Sequence, residues 1–266
     1  MLDAILLAIA TLGYLAGSWL LLQGALGERA LLAPRWVIAC GIAGLAAHAA
    51  LLFLPTLLGA PISTHFFRAL SLVAWAMAVV MTAVHGGSRA RLLLAMIWPI
   101  AMLSAIAGAL APPVAVSISG WQIRLHVVIA LSAYALLSIA ALQALAVAWQ
   151  ERSLRRKQLG PMLRALPPLS AMEELLFQYI VAGFALLTLT VLSGALFIDD
   201  WMAQHLVHKT VLTLLAWVVF GLLVFGRWQF GWRGRTAVNW TLAGMLVLLL
   251  AFFGSKFVLE ILLGRP

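Results

Sequence analysis

The sequence predicts an all-α integral membrane protein, a bundle of eight transmembrane helices. Three observations carry this: the scarcity of charge, the length of the apolar runs and the alternation of basic loops. Hydrophobic residues make up 65% of the 266 residues and charged residues only 9%, where a soluble domain carries roughly 25% charged residues. Such a chain is solvated mainly by lipid. Its apolar residues form continuous runs near the ~20 residues that a spanning helix needs. They do not form the alternating ten-residue segments of an outer-membrane barrel. The formal charge of +9 is spread over short loops between the runs, so it reads as an orientation signal and not as a nucleic-acid surface.

Taken in order, the runs fall at about 4–23, 36–56, 67–84, 92–111, 124–149, 175–198, 208–226 and 237–259. The first follows an acidic N-terminal segment, MLDA, and is expected to be a retained helix and not a cleaved signal. The third and seventh are the shortest. The fourth contains Pro99, where a kink is tolerated because neighbouring helices re-satisfy the freed carbonyl. Between the fifth and sixth lies the one sizeable loop, ERSLRRKQLGPMLRALPPLSAMEE. It reads as an orientation signal and linker, with a short surface helix on the cytoplasmic leaflet as the alternative. No repeat, low-complexity tract or soluble domain interrupts the pattern, so residues 1–266 are expected to form a single transmembrane domain.

Of the 17 Lys and Arg, 12 fall in the loops after the first, third, fifth and seventh runs, and 5 on the opposite side. The positive-inside rule puts the 12-charge loops in the cytoplasm and both termini on the outer, periplasmic side of a bacterial inner membrane. The single cysteine, Cys40, lies inside an apolar run. That excludes an intrachain disulfide, a CxxC redox pair and a CxxCH haem-attachment site.

With this orientation five of the six histidines lie on the outer side or in the outer half, and only His85 is cytoplasmic. His48, among small residues in GLAAHAALL, is expected to bond a neighbouring helix. His65 and His205 read as solvated loop residues. His126 and His208 each lie about one turn into an apolar helix, where an ionisable group facing the bundle is a functional hypothesis; the plainer alternative is a satisfied interhelical bond. A neutral imidazole there can ligate a metal or haem iron. Zinc wants three or four ligands, for which His126, His205, His208 and Asp199 or Asp200 are candidates, but no local spacing resembles a zinc motif. Haem needs one or two axial ligands in an apolar, aromatic pocket, and the chain holds 11 Trp and 12 Phe. Much of that aromatic content is expected at membrane interfaces in any case. The lack of GxSxG argues against hydrolysis, and the near absence of acids within the runs argues against an ion-coupled carrier. Glu260 reads as an interfacial ion pair with Lys256.

Three stretches, LHVVIALSAYALLSIAALQALAVAWQERSLRRK at 125–157, LPPLSAMEELLFQYIVAGFALLTLTVLSGALF at 166–197 and GWRGRTAVNWTLAGMLVLLLAFFGSKFV at 231–258, resemble in order and spacing the cytochrome c assembly family. This is a group of haem-handling CcsA/CcmC-type membrane proteins, and the likeness is to its eight-helix YpjD-like subgroup in particular. The resemblance implies that His126 matches an outer axial haem ligand, and that Gly183, Phe184 and Gly194 match the helix leading into the haem platform. It also implies that Gly231, Trp232, Arg233, Gly234 and Arg235 match a cytoplasmic turn. The chain departs from the family at three places. FIDDWMAQHLVHKT holds one tryptophan, Trp201, where haem-handling members carry a tryptophan-rich loop ending in WxWD. GSKFVLEILLGRP lacks the second outer histidine, and VFGR at 224–227 stands in place of an inner one.

The expectation is therefore an inner-membrane, multi-pass protein that binds haem at the outer face for haem delivery or cytochrome c maturation. His126 would be the ligand, His208 by its position the partner, and His205 stands beside it. It is expected to present its cofactor to a protein partner subunit and not to turn over a substrate as an enzyme. It contacts lipid and no nucleic acid. Two other classes stay open. One is a haem-free family relative serving as an accessory or scaffold subunit of a membrane transporter or assembly complex, which the departures favour. The other is a divalent-metal site of His205, His208 and Asp199 or Asp200.

Overall fold

The computed structural model describes residues 1–25, 34–59, 62–63, 65–85, 91–111, 115–116, 120–157, 160–164, 166–197, 207–254 and 256–257. Among these, eight helices are long and apolar enough to cross a membrane: α1 (Leu2–Ala25), α2 (Pro34–Leu57), α3 (Phe66–His85), α4 (Arg91–Leu110), α5 (Trp121–Arg155), α7 (Leu169–Phe197), α8 (Val207–Phe230) and α9 (Gly234–Leu249), which continues into a π turn over Leu250–Gly254. The four-residue helix α6 (Pro161–Arg164) sits in the connection from α5 to α7, and α4 runs through Pro99. A two-residue pairing, Ile62–Ser63 with Ala115–Val116, is the only sheet among the described residues.

All eight expected spans are present, and the largest differences lie at polar ends. α5 runs six residues past its apolar run and α7 starts six residues before its own. In water-facing segments Gln, Glu, Lys and Arg are good helix formers, so the helix outlasts the hydrophobic stretch that marks the span. Gln150 and Ser153 are buried on the α5 extension, and Gln143, within the run, donates through Nε2 to the Met172 carbonyl on the α7 extension at 2.9 Å.

The chain divides into two compact units: residues 1–117 with 159–167, and residues 118–158 with 168–266. In the first, α1 packs on α2 and α4, and α3 on α2 and α4. Small residues let backbones approach, as expected where lipid supplies no hydrophobic drive between helices. A Cβ on Gly13 would lie 2.7 Å from the Cys40 carbonyl and 2.8 Å from the Gly44 nitrogen; one on Gly17 or Gly41 would overlap the Trp98 ring. Trp98 is fully buried, and its indole N–H donates to Thr82 Oγ1 at 3.3 Å.

Pro55 sits inside α2 and has no N–H for the Leu51 carbonyl. Arg68 of α3 takes that role: its Nη2 donates to Leu51 O at 3.1 Å and to Leu52 O at 3.4 Å. A cation near the span's end is thus committed to backbone repair.

In the second unit, α5 packs on α7 and α9, and α8 on α7 and α9. The turn from α8 to α9 uses two glycines with positive φ, Gly231 (66°) and Gly234 (56°), a backbone region that L side chains avoid. The Gly231 N–H bonds the Arg227 carbonyl, the Arg227 guanidinium bonds the Trp232 carbonyl, and Glu173 caps the Gly234 N–H at 3.0 Å. The Trp232 ring folds back into the space left by Gly226, where a Cβ would lie 2.5 Å from it.

Candidate functional site

The second unit builds its candidate site on the antiparallel pairing of α5 and α7. Three contacts show the register: His126 meets Ser193, Leu137 meets Gly183, and Gln143 meets Met172. Interhelical hydrogen bonds in membranes average about 0.6 kcal/mol, so the close packing at Gly183 sets this register more than the bonds do. A Cβ there would lie 2.7 Å from Leu137 Cδ2.

Once the register is set, the first turn of α5 faces the last turn of α7. His126 lies half-buried, with Nδ1 2.9 Å from Ser193 Oγ. The buried Ser193 hydroxyl also donates to the Thr190 carbonyl at 3.1 Å. Gly194 leaves the ring room against α7: a Cβ there would stand 3.4 Å from His126 Cε1, an ordinary contact. Beside the histidine, the exposed Trp121 ring meets Phe197 edge-on, with centroids 6.1 Å apart, and Leu125 is exposed as well. Below it, the Tyr134 hydroxyl donates to the Leu248 carbonyl at 2.7 Å, near where α9 changes to π geometry. One accessible imidazole on an apolar, partly aromatic surface is the donor set a haem requires on one axial side.

The other candidates are placed less closely. His208 is exposed in the first turn of α8 and makes no hydrogen bond among the described residues. Helix α8 reaches α7 through the Trp217 indole, which donates to Thr188 Oγ1 at 2.9 Å and stacks on Phe184. His205, Asp199, Asp200, Trp201 and Glu260 lie outside the described residues, as does the side chain of His85. Among the described residues no group of three or more His, Cys, Asp or Glu could hold a metal ion.

In the first unit His48 bonds neighbouring helices as expected. Its Nδ1 is 3.2 Å from the Tyr14 hydroxyl and its Nε2 2.8 Å from Ser71 Oγ, all three side chains being buried. With both ring nitrogens engaged, it offers no lone pair to a ligand. A cavity of about 110 Å³ beside it, lined in part by Leu52, Arg68, Ser71 and Gly108, is far too small for a tetrapyrrole.

His65 differs from expectation. It is buried, not solvated, because it caps α3: its carbonyl accepts from the Arg68 and Ala69 N–H groups, and its Nδ1 from the Phe67 N–H at 3.4 Å. A side-chain acceptor at this position satisfies one of the helix's orphan donors.

Sequence reasoning also passed over Ser193. In an apolar run it reads as a small packing residue, and only the adjacent Gly194 hinted that a close contact falls there.

Comparison with known proteins gives a consistent result. Residues 36–263 match the family described as Cytochrome C assembly protein. The chain is 33% identical over 194 residues to "Inner membrane protein YpjD" of Escherichia coli (strain K12), covering 72% of this chain and 73% of that protein. It is 23% identical over 131 residues to "Protein HemX" of Brevibacillus brevis, 48% of each chain. It is 29% identical over 87 residues to "Cytochrome c biogenesis protein CcsA" of Prochlorococcus marinus (strain MIT 9303), 31% of this chain and 27% of that one. No solved structure matches the chain.

Proposed function

Because the chain belongs to the cytochrome c assembly protein family, we propose that it is an inner-membrane protein that binds haem at the outer face for haem delivery or cytochrome c maturation. The observation that carries this reading is the half-buried His126, hydrogen-bonded through Nδ1 to Ser193 on an apolar, aromatic surface. In this reading His126 would hold the haem, with His208 as the expected partner ligand and the Trp121 and Phe197 rings supplying apolar, aromatic surface beside it. The inner-membrane location is supported by the likeness to "Inner membrane protein YpjD" of Escherichia coli. The outer placement of His126 rests on the positive-inside count.

Haem, when bound, supplies an iron centre whose chemistry belongs to the cytochrome that receives it. This chain's work is to hold the ring, orient it and release it, so it is a carrier and not an enzyme, and it needs a protein partner.

One observation favours a second reading, a haem-free accessory or scaffold subunit of a membrane transporter or assembly complex. His208, the expected second ligand, is exposed and makes no hydrogen bond among the described residues.

Hemin titration of the detergent-purified protein separates the two. Haem binding gives a stoichiometric Soret band that weakens at least tenfold in His126→Ala and loses its second ligand's signature in His208→Ala. No Soret band at stoichiometric hemin would leave the scaffold reading.

A further inference from the structure

The environment of His126 contains a second residue with an assignable role. Ser193 is 7% exposed, and its hydroxyl makes two hydrogen bonds, one to the Thr190 carbonyl at 3.1 Å and one with His126 Nδ1 at 2.9 Å. A hydroxyl has one proton to donate and lone pairs to accept with. A carbonyl can only accept, so when both bonds form together the hydroxyl proton goes to Thr190 and the bond to the imidazole runs the other way. His126 Nδ1–H then donates to Ser193 Oγ. In a neutral imidazole only one nitrogen carries the proton, which leaves the Nε2 lone pair unprotonated. Nε2 has no hydrogen-bond partner among the described residues, and the Nδ1–Cε1 edge is the one turned towards α7 at Ser193 and Gly194.

We propose that Ser193 is a positioning residue that locks His126 in the Nδ1–H tautomer, with Thr190 holding the serine proton, so that Nε2 is the nitrogen presented to a ligand. Its use as an axial haem ligand rests on the function proposed above; the tautomer itself does not. Ligating histidines gain orientation and donor strength from a partner on the other ring nitrogen, and loss of such a partner typically costs about 10–100-fold in metal affinity. Accepting the Nδ1 proton's hydrogen bond pushes electron density towards Nε2. The intact pair therefore favours the ferric ion and lowers the potential of a bound haem.

Two measurements test this on the full chain in detergent. The first needs no haem: histidine ¹⁵N NMR of the wild type, Ser193→Ala and Ser193→Thr. The wild type and Ser193→Thr should show His126 protonated on Nδ1, and Ser193→Ala should move towards the Nε2–H form that a histidine side chain prefers in water. A wild-type His126 protonated on Nε2 would overturn the proposal whatever haem does.

The second is hemin titration with redox potentiometry and EPR of the bound haem. Ser193→Ala should keep a His126-dependent Soret band but bind hemin about tenfold more weakly, with a more positive midpoint potential and altered g values, and Ser193→Thr should restore all three. Unchanged affinity, potential and g values in Ser193→Ala, with binding still lost in His126→Ala, would refute the positioning role. A wild type that binds no hemin but keeps the Nδ1–H tautomer would overturn the haem reading alone and leave the Ser193 assignment standing.

Discussion

At the residue scale, two glycines of α7 that look alike in sequence differ in what they permit. Gly183 is buried against Leu137, which is itself fully buried, and a Cβ would lie 2.7–2.8 Å from the leucine side chain and 3.3 Å from its backbone nitrogen. Gly194 faces only the edge of His126, at ordinary contact distance. Overpacking a tight core costs typically 1–3 kcal/mol. Gly183→Ala should therefore lower unfolding stability in mixed micelles by about that range. Gly194→Ala should be within about 0.5 kcal/mol of wild type, since it adds no clash and improves helix propensity. Equal losses in both variants would show that α5 and α7 do not meet in this register, and the placement of Ser193 against His126 would fail with it.

At the element scale, the helices hold by close approach and by repair of their own backbones. The Arg68–Pro55 arrangement makes the second point measurable. Proline leaves the Leu51 carbonyl without its helical donor, and Arg68 supplies one from α3. Leaving such a group unsatisfied costs about 1–3 kcal/mol, so Arg68→Ala should destabilise by that amount. In a Pro55→Ala background the N–H returns, and Arg68→Ala should cost clearly less. A double-mutant cycle in micelles reads the coupling directly; additive effects would mean that the arginine and the proline act independently. Spans were legible in the sequence because lipid demands a minimum apolar length, and that demand shows as composition. Helix ends were not, since the polar extensions of α5 and α7 obey helix propensity after the lipid constraint has lapsed. His126 was legible through its motif. Ser193 and the cap at His65 were not, because a hydroxyl's partner and a ring's burial depend on which helix turn lies opposite, and no local pattern encodes that.

At the scale of the whole molecule, His48 in the first unit and His126 in the second are engaged differently. In the first, the Tyr14–His48–Ser71 chain and the Trp98–Thr82 bond satisfy their groups internally. In the second, His126 keeps one ring nitrogen without a partner among the described residues, at a half-exposed site. A functional reading of that nitrogen depends on which side of the membrane the start of α5 faces, and this is decided by charge. Counted with the flanking helix ends, the connections after α1, α3, α5 and α8 carry 12 of the 17 Lys and Arg, and basic residues near span ends are retained in the cytoplasm. Eight spans would then return the chain to the side it started from, and the charge count predicts that the start of α5 and both termini lie outside. Alkaline phosphatase fused after Pro266 should be active, and a fusion in the loop near Lys157 inactive; a reporter that works only in the cytoplasm should give the reverse pattern. Adding arginines within about 15 residues of the outer span ends, until the count is balanced, should erode the difference. An active cytoplasmic reporter after Pro266 would put His126 on the cytoplasmic side, where it could not meet an apocytochrome outside, and the delivery role would fall even if haem bound.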